Sequence, residues 1–233
     1  MDQQRKDEIG QAAAKILLDT KSVLFNAKEP FVLTSGKISP VYIDCRRLIS
    51  FVEGRSDLMD MAAEMLLSEI GDDIDYCAGG ETAGIPYAAF IAERLHKPML
   101  YIRKKPKGFG RMAQIEGTFH DEKTPRVILI EDLQTDGGSK KVFVDALRDA
   151  GAEVSHAFVV FHYGIFEKST ENMQNMGLTL HELTNWWHVL DVAKKQNYFD
   201  DETLESVESF LKAPDIWQEM NAEKSGSSSS FNI

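Results

Sequence analysis

A chain of 233 residues, 43% hydrophobic and 27% charged, is long enough to bury one sizeable core with modest extensions. Its net charge of −11 excludes a broad basic face for nucleic acid, although a local basic pocket for an anionic ligand remains compatible with it. Cys45 and Cys77 lie too far apart for a metal pair, the start lacks an apolar signal segment, and no apolar run reaches the roughly 18 residues that span a bilayer. A cytoplasmic protein that binds neither membrane nor nucleic acid is expected.

Helical spacing of Ile9, Ala13, Ile16, Leu17 and Val23 predicts an amphipathic helix over residues 7–25. The extended piece 30–37 is broken by Ser35-Gly36, and residues 41–44 read as a second short strand. Leu58, Met61, Ala62, Met65, Leu66 and Ile70 return to helical spacing before Gly71, a plausible C-cap. Strands and helices then alternate: strand 75–78 running into Gly79-Gly80, helix 84–95, strand 99–102, and a Lys/Gly-rich stretch with a short segment at 114–117. Strand 127–130, helix 139–150 and strand 157–161 follow. Such alternation predicts an α/β fold with a parallel sheet flanked by helices on both faces. A small N-terminal lobe (about residues 1–50) precedes the core (about 51–177). A helical C-terminal extension (about 178–222) holds a strand candidate at 178–183 and polar helices at 186–196 and 201–211. Residues 1–222 are expected to form one domain, and the Ser-rich stretch 223–233 a flexible tail.

The chemistry concentrates at one strand end. Val127 to Ile130 is the most apolar strand, and it terminates in two acids, Glu131 and Asp132. Ligands of doubly wound sheets sit at the carboxyl ends of the strands, where the loop from Leu133 through Gln134 to Thr135 emerges. Gly137 and Gly138 allow a sharp turn, so the amides of Asp136 to Ser139, at a helix N-terminus, are placed to hold a phosphate. Thr135 and Ser139 add hydroxyl donors, while Glu131 and Asp132 can accept from the two ring hydroxyls of a ribose. Gly-Gly-Ser alone also fits an ordinary strand–turn–helix with Ser139 as N-cap. Two charged acids closing an apolar strand need partners, and they favour the ligand.

The run Ile130-Glu-Asp-Leu-Gln-Thr-Asp-Gly-Gly-Ser139 resembles the phosphoribosylpyrophosphate-binding motif of type I phosphoribosyltransferases. Three further segments resemble motifs of the orotate-specific members, in the same order along the chain. They are Thr34-Ser-Gly-Lys-Ile-Ser-Pro-Val-Tyr-Ile-Asp44, Gly79-Gly-Glu-Thr-Ala-Gly-Ile-Pro86, and Arg103-Lys-Lys-Pro-Lys-Gly-Phe-Gly110 with Ile115-Glu-Gly117. The resemblance spans about residues 10–165 and leaves the C-terminal extension outside it.

That resemblance implies orotate phosphoribosyltransferase activity with Mg²⁺ as cofactor. The metal would be held mainly by the substrate, with no direct protein ligand assigned. Thr82 and Ala83, opening a helix that contains Pro86, would bind the pyrophosphate. Arg103, Lys104 and Lys107, with Phe109, would form a catalytic lid that meets the leaving group's charge. In the resembled family this lid reaches a partner's site, so a homodimer is implied. Thr135, Tyr42, Ile43 and His162 would contact orotate. Four positions depart from the common pattern: Thr34 for Lys, Phe109 for His, Glu131 for Asp, and His162 near the Arg that holds the orotate carboxylate. A type I enzyme for another base, or a non-catalytic phosphoribosylpyrophosphate sensor, are the competing readings. Cations retained on a lid argue against the sensor.

Overall fold

The computed structural model describes residues 1–32, 37–107, 114–120 and 123–223. Helix α1 (Gln3–Asp19) starts at Asp2, whose carboxylate accepts the Arg5 amide at 2.8 Å. It buries Ile9, Ala13 and Leu17 as the spacing predicts, but it ends before Val23. Lys21 adopts a left-handed φ of 53°, and the chain re-enters as a strand. Strands β1 (Val23–Phe25), β2 (Phe31–Val32), β3 (Ile38–Ser39) and β4 (Val41–Ile43) make two antiparallel pairs, β1 with β4 and β2 with β3. They form the small lobe. A 3-10 helix (Cys45–Ser50) then leads into α2 (Val52–Glu69).

The core alternates β5 (Tyr76–Gly80), α3 (Gly84–Leu95), β6 (Met99–Ile102), β7 (Ile115–Glu116), β8 (Arg126–Gln134), α4 (Lys140–Asp149), β9 (Glu153–His162), α5 (Glu167–Met176) and β10 (Thr179–Asn185). Helices α6 (Trp186–Lys195), α7 (Asp201–Lys212) and α8 (Pro214–Met220) complete the chain. The sheet runs in the order β10-β9-β8-β5-β6-β7, parallel except for β7, which pairs antiparallel with β6. The chain leaves β5 for β6 on one side and returns to β8 on the other. The gap between β5 and β8 is therefore the topological switch point, where doubly wound sheets bind ligands.

Period-two alternation divides the sheet's side chains between two apolar layers. Ile128 and Ile130 of β8 join Cys77, Phe158 and Val160 beneath α1, α2, α3 and α6. Val127 and Leu129 join Ala78 and Ala157 beneath Phe143, Val144 and Leu147 of α4 and Met173 of α5. Each fully buried aliphatic side chain of this kind contributes about 1.5–3 kcal/mol.

Three elements escape the sequence pattern. Helix α5 is polar apart from Met173 and Met176, so it shows no apolar stripe; only Ser169 and Met173 are buried. The 3-10 helix and α8 are too short for periodicity to reveal. The C-terminal extension is also no appendage: β10 is a sheet strand, and the Thr184 hydroxyl donates to the Gly10 carbonyl of α1 at 2.8 Å. No described helix is long and apolar enough to cross a membrane.

Candidate active site

The loop after β8 is held from below by a helix that sequence reasoning missed. Asn172 of α5 donates to the Asp136 carbonyl at 2.8 Å, and Ser169 accepts from Gln134 at 2.8 Å. Gly137 has φ 76°, and a Cβ there would lie 2.7 Å from the Met173 methyl, so both conformation and space require glycine. Thr135, Gly138 and Ser139 are exposed, as a ligand-facing edge demands. Ser139 makes no side-chain cap, and since the Lys140 and Lys141 amides turn back to the carbonyls of Gly137 and Gly138, the amides of Gly137 and Ser139 are the ones open to an incoming anion. Two expected contacts are corrected here. Gln134 is 2% exposed and braces the loop instead of facing a ligand, while Leu133 packs against the core. Asp136 turns inward, its carboxylate accepting the Gly138 amide at 3.0 Å, so it shapes the loop.

The two acids diverge. Glu131 lies on the α4 side, where Lys140 donates to it at 2.5 Å. Lys140 is completely buried. It sits with Phe143, Val144 and Leu147 at positions i, i+3, i+4 and i+7 of one helical stripe, a sequence signal for a buried cation that needs a carboxylate. Asp132 lies on the other side, near enough to push up the Cys45 thiol and the Tyr87 phenol beyond what burial alone does. Burial raises the Asp132 carboxyl above the usual range, and the charge of Glu131 adds to that.

One strand away, β5 ends in a second candidate anion loop. The Glu81–Thr82 peptide is cis, Thr82 is exposed, and Ala83 opens α3 with no side-chain cap. A Cβ on Gly84 would lie 2.3 Å from the Ile130 carbonyl oxygen, so only glycine lets α3 begin pressed against β8. The uncapped N-termini of α3 and α4 thus flank the switch point between two adjacent strands.

The lid candidate rises from the neighbouring strand pair. The Arg103 amide donates to the Gln114 carbonyl at 2.8 Å, and the Gln114 side chain returns to the Arg103 carbonyl at 2.9 Å, closing the stem. Glu81 accepts the Lys104 amide at 2.7 Å and so links stem to anion loop, a tie the sequence did not suggest. Lys107 forms a close ion pair with Glu116, and Arg103 approaches the same carboxylate at 3.7 Å. Phe109 lies outside the described residues, as do Thr34, Ser35, Gly36 and the serine tail.

At the far end, Tyr42 is half-buried with its ring 5.6 Å from that of Phe31. The Ile43 side chain points into the core at 5% exposure, which removes it as a ring contact. His162 is corrected more firmly. One ring nitrogen contacts Glu182 and the other lies 2.8 Å from the Ser169 hydroxyl, so neither is left for a carboxylate. Glu182 in turn accepts from Asn185 at 2.9 Å. Sequence position alone placed His162 at the ligand; its sheet neighbours decide otherwise. Arg46, which no motif marked, is exposed near Tyr42 and held by Asp44 at 2.8 Å.

No protein-family profile matches the chain. An orotate phosphoribosyltransferase of Roseobacter denitrificans is 51% identical over 215 residues, covering 92% of this chain and 95% of that protein. A match of that length reaches well past Leu178, so the C-terminal extension shares in the likeness. The crystal structure of orotate phosphoribosyltransferase from Aeropyrum pernix matches with a TM-score of 0.64 at 33% identity, over 80% of this chain and 99% of that one. The structure of Leishmania donovani UMP synthase matches with a TM-score of 0.72 at 28% identity, over 87% of this chain and 42% of that longer one.

Proposed function

The chain belongs to the orotate phosphoribosyltransferase family, and from that membership we propose that it transfers the 5-phosphoribosyl group of phosphoribosylpyrophosphate to orotate, giving orotidine 5′-monophosphate and pyrophosphate in pyrimidine biosynthesis. One observation carries the reading for these residues. Two helix N-termini without side-chain caps, those of α3 and α4, stand at the ends of adjacent parallel strands with Glu131 and Asp132 between them. Such an arrangement suits a sugar that bears an anionic group at each end.

In this reading the amides of Gly137 and Ser139 and the hydroxyls of Thr135 and Ser139 hold the 5′-phosphate. Asp132 and the free oxygen of Glu131 accept from the ribose hydroxyls, and the start of α3, with Thr82 and Ala83, holds the pyrophosphate. Displacement at the anomeric carbon passes through a state in which the ribose ring carries positive charge. Fixed carboxylates beside the ring favour that charge, and cations of the lid favour the departing pyrophosphate. As the orotate ring nitrogen forms its bond to the anomeric carbon and the bond to pyrophosphate breaks, the ring N–H proton passes to water or to the departing pyrophosphate, so no side chain is assigned as base. Lid closure excludes the water that would otherwise hydrolyse the donor.

Mg²⁺ fits this site as a passenger of the substrate. Among the described residues no group of three or more His, Cys, Asp or Glu is arranged to hold a metal, and one oxygen of Glu131 is already taken by Lys140. Bound through pyrophosphate oxygens, the ion would supply charge neutralisation of the leaving group. We also propose a homodimer whose lids close over each other's sites; β6 and β7 form one edge of the sheet, so the lid stem projects from the margin of the chain.

Orotate consumption with phosphoribosylpyrophosphate and Mg²⁺, measured beside adenine, hypoxanthine and uracil, tests the function. Turnover of another base without orotate turnover overturns it. Mixing the inactive variants Lys104→Ala and Asp132→Asn tests the shared lid, because hybrid dimers regain activity only if the two residues serve one site from different copies.

A further inference from the structure

This inference rests on the assignment of Glu131 to the ribose hydroxyls and deepens it. Glu131 and Asp132 are consecutive acids in a site built to receive a polyanion, a costly juxtaposition unless one charge is balanced. The side chain of Lys140 is almost fully enclosed, at 1% exposure, and its ammonium donates to one oxygen of Glu131 at 2.5 Å. Glu131 itself is 12% exposed at its side chain, so its carboxylate sits between a buried cation and the open cleft. Phe143 packs behind this pair against Gly80, where an added Cβ would meet the Phe143 ring at 2.9 Å and Glu131 Cγ at 3.2 Å. Gly80 and the Phe143 ring thus close one side of the Glu131 side chain.

We propose that Lys140 is a positioning residue for the donor sugar: it fixes the rotamer of Glu131 so that the second oxygen faces the ribose hydroxyls, and it cancels one of the two adjacent negative charges. The longer Glu, in place of Asp, is what spans the distance from strand to buried ammonium. Lys140 touches no substrate, so its influence passes entirely through Glu131. A lysine that merely filled the helix stripe would behave differently, since its replacement by an apolar isostere would leave donor affinity alone.

The test is a double-mutant cycle read by calorimetric binding of phosphoribosylpyrophosphate, with no orotate present, so that an error in base specificity does not affect it. Wild-type protein comes first: absence of donor binding there sinks the functional assignment before any variant is compared. Given wild-type binding, Lys140→Met should weaken donor affinity at least tenfold, while KM for orotate stays within about twofold. In a Glu131→Gln background the same replacement should change donor affinity less than twofold, because the residue it acts through no longer carries charge. A loss below twofold in the single variant, or an undiminished loss in the Glu131→Gln background, overturns the proposal. Stranding Glu131 without its cation is destabilising, and a Lys140→Met protein that fails to fold leaves the comparison to a second variant. The neutral double variant then decides alone against Glu131→Gln: equal donor affinity supports the proposal, and a further tenfold loss overturns it.

Discussion

Around the loop after β8, every turn of backbone has a partner deeper in the molecule: Gln134 rests on Ser169, Asp136 on Asn172, Gly137 on Met173 and Glu131 on Lys140. The lid stem and the small lobe are tied more lightly. Lys107 and Arg103 share one half-exposed carboxylate, Glu116, and Tyr42 leans on Phe31. The contrast matches the division of labour in the proposed reaction. The phosphate and ribose are bound in one geometry throughout, which rewards preorganisation. The leaving group's charge appears only in the transition state, so the cations that meet it must be able to exchange one anionic partner for another. Exposed ion pairs such as those with Glu116 are worth only about 0–1 kcal/mol, little enough to be given up on closure.

Four experiments break or sharpen that contrast. The largest effect is expected at the lightly tied end. Lys104→Ala or Lys107→Ala should lower kcat by roughly 10²–10³, the scale of losing one charge-stabilising group, with KM for the donor changed only a few-fold. Steady-state kinetics decide this, and a matching rise in KM with kcat intact would place these cations in ground-state binding instead. At the braced end, Asn172→Ala removes a hydrogen bond worth about 1–1.5 kcal/mol and should raise donor KM about five- to tenfold while sparing kcat.

His162→Ala probes the correction made above. Loss of its contacts with Glu182 and Ser169 should lower Tm by several degrees, on the order of 1–2 kcal/mol, yet leave orotate KM within about twofold. A large rise in orotate KM at unchanged Tm would return His162 to the base. The smallest change in stability concerns Asp132. Its folded-state pKa is raised, chiefly by burial, so its ionisation disfavours the fold as pH rises through that value. Below the unfolded pKa of about 3.9 the group is neutral in both states and the cost vanishes. Asp132→Asn should therefore be slightly more stable than wild type near pH 7 by thermal melting, indistinguishable near about pH 4, and inactive at both.

The sheet and the turn after β8 were legible in the sequence because their signals are local. Val127 to Ile130 reads as a buried strand wherever it sits, and Gly137-Gly138 announces a turn. What escaped was set by neighbours distant along the chain. Helix α5 hides because its contribution is a serine and an asparagine aimed at a loop, not an apolar stripe. His162 misled because its place in the motif says nothing of Glu182 on the next strand. Lys140 stood in plain view on the apolar stripe of α4, and its meaning required only asking what a cation does there.

Gly84, pressed against the Ile130 carbonyl, has one more consequence. Because α3 begins in contact with β8, the separation of the two anion loops follows the spacing of neighbouring strands, about 4.8 Å, plus the fixed rise of each helix from its strand. No hinge or linker intervenes. In the proposed reaction the pair would act as a caliper set by the sheet itself, gauging the span between a sugar's two charged ends, so that a sugar phosphate of another length would engage one jaw and miss the other.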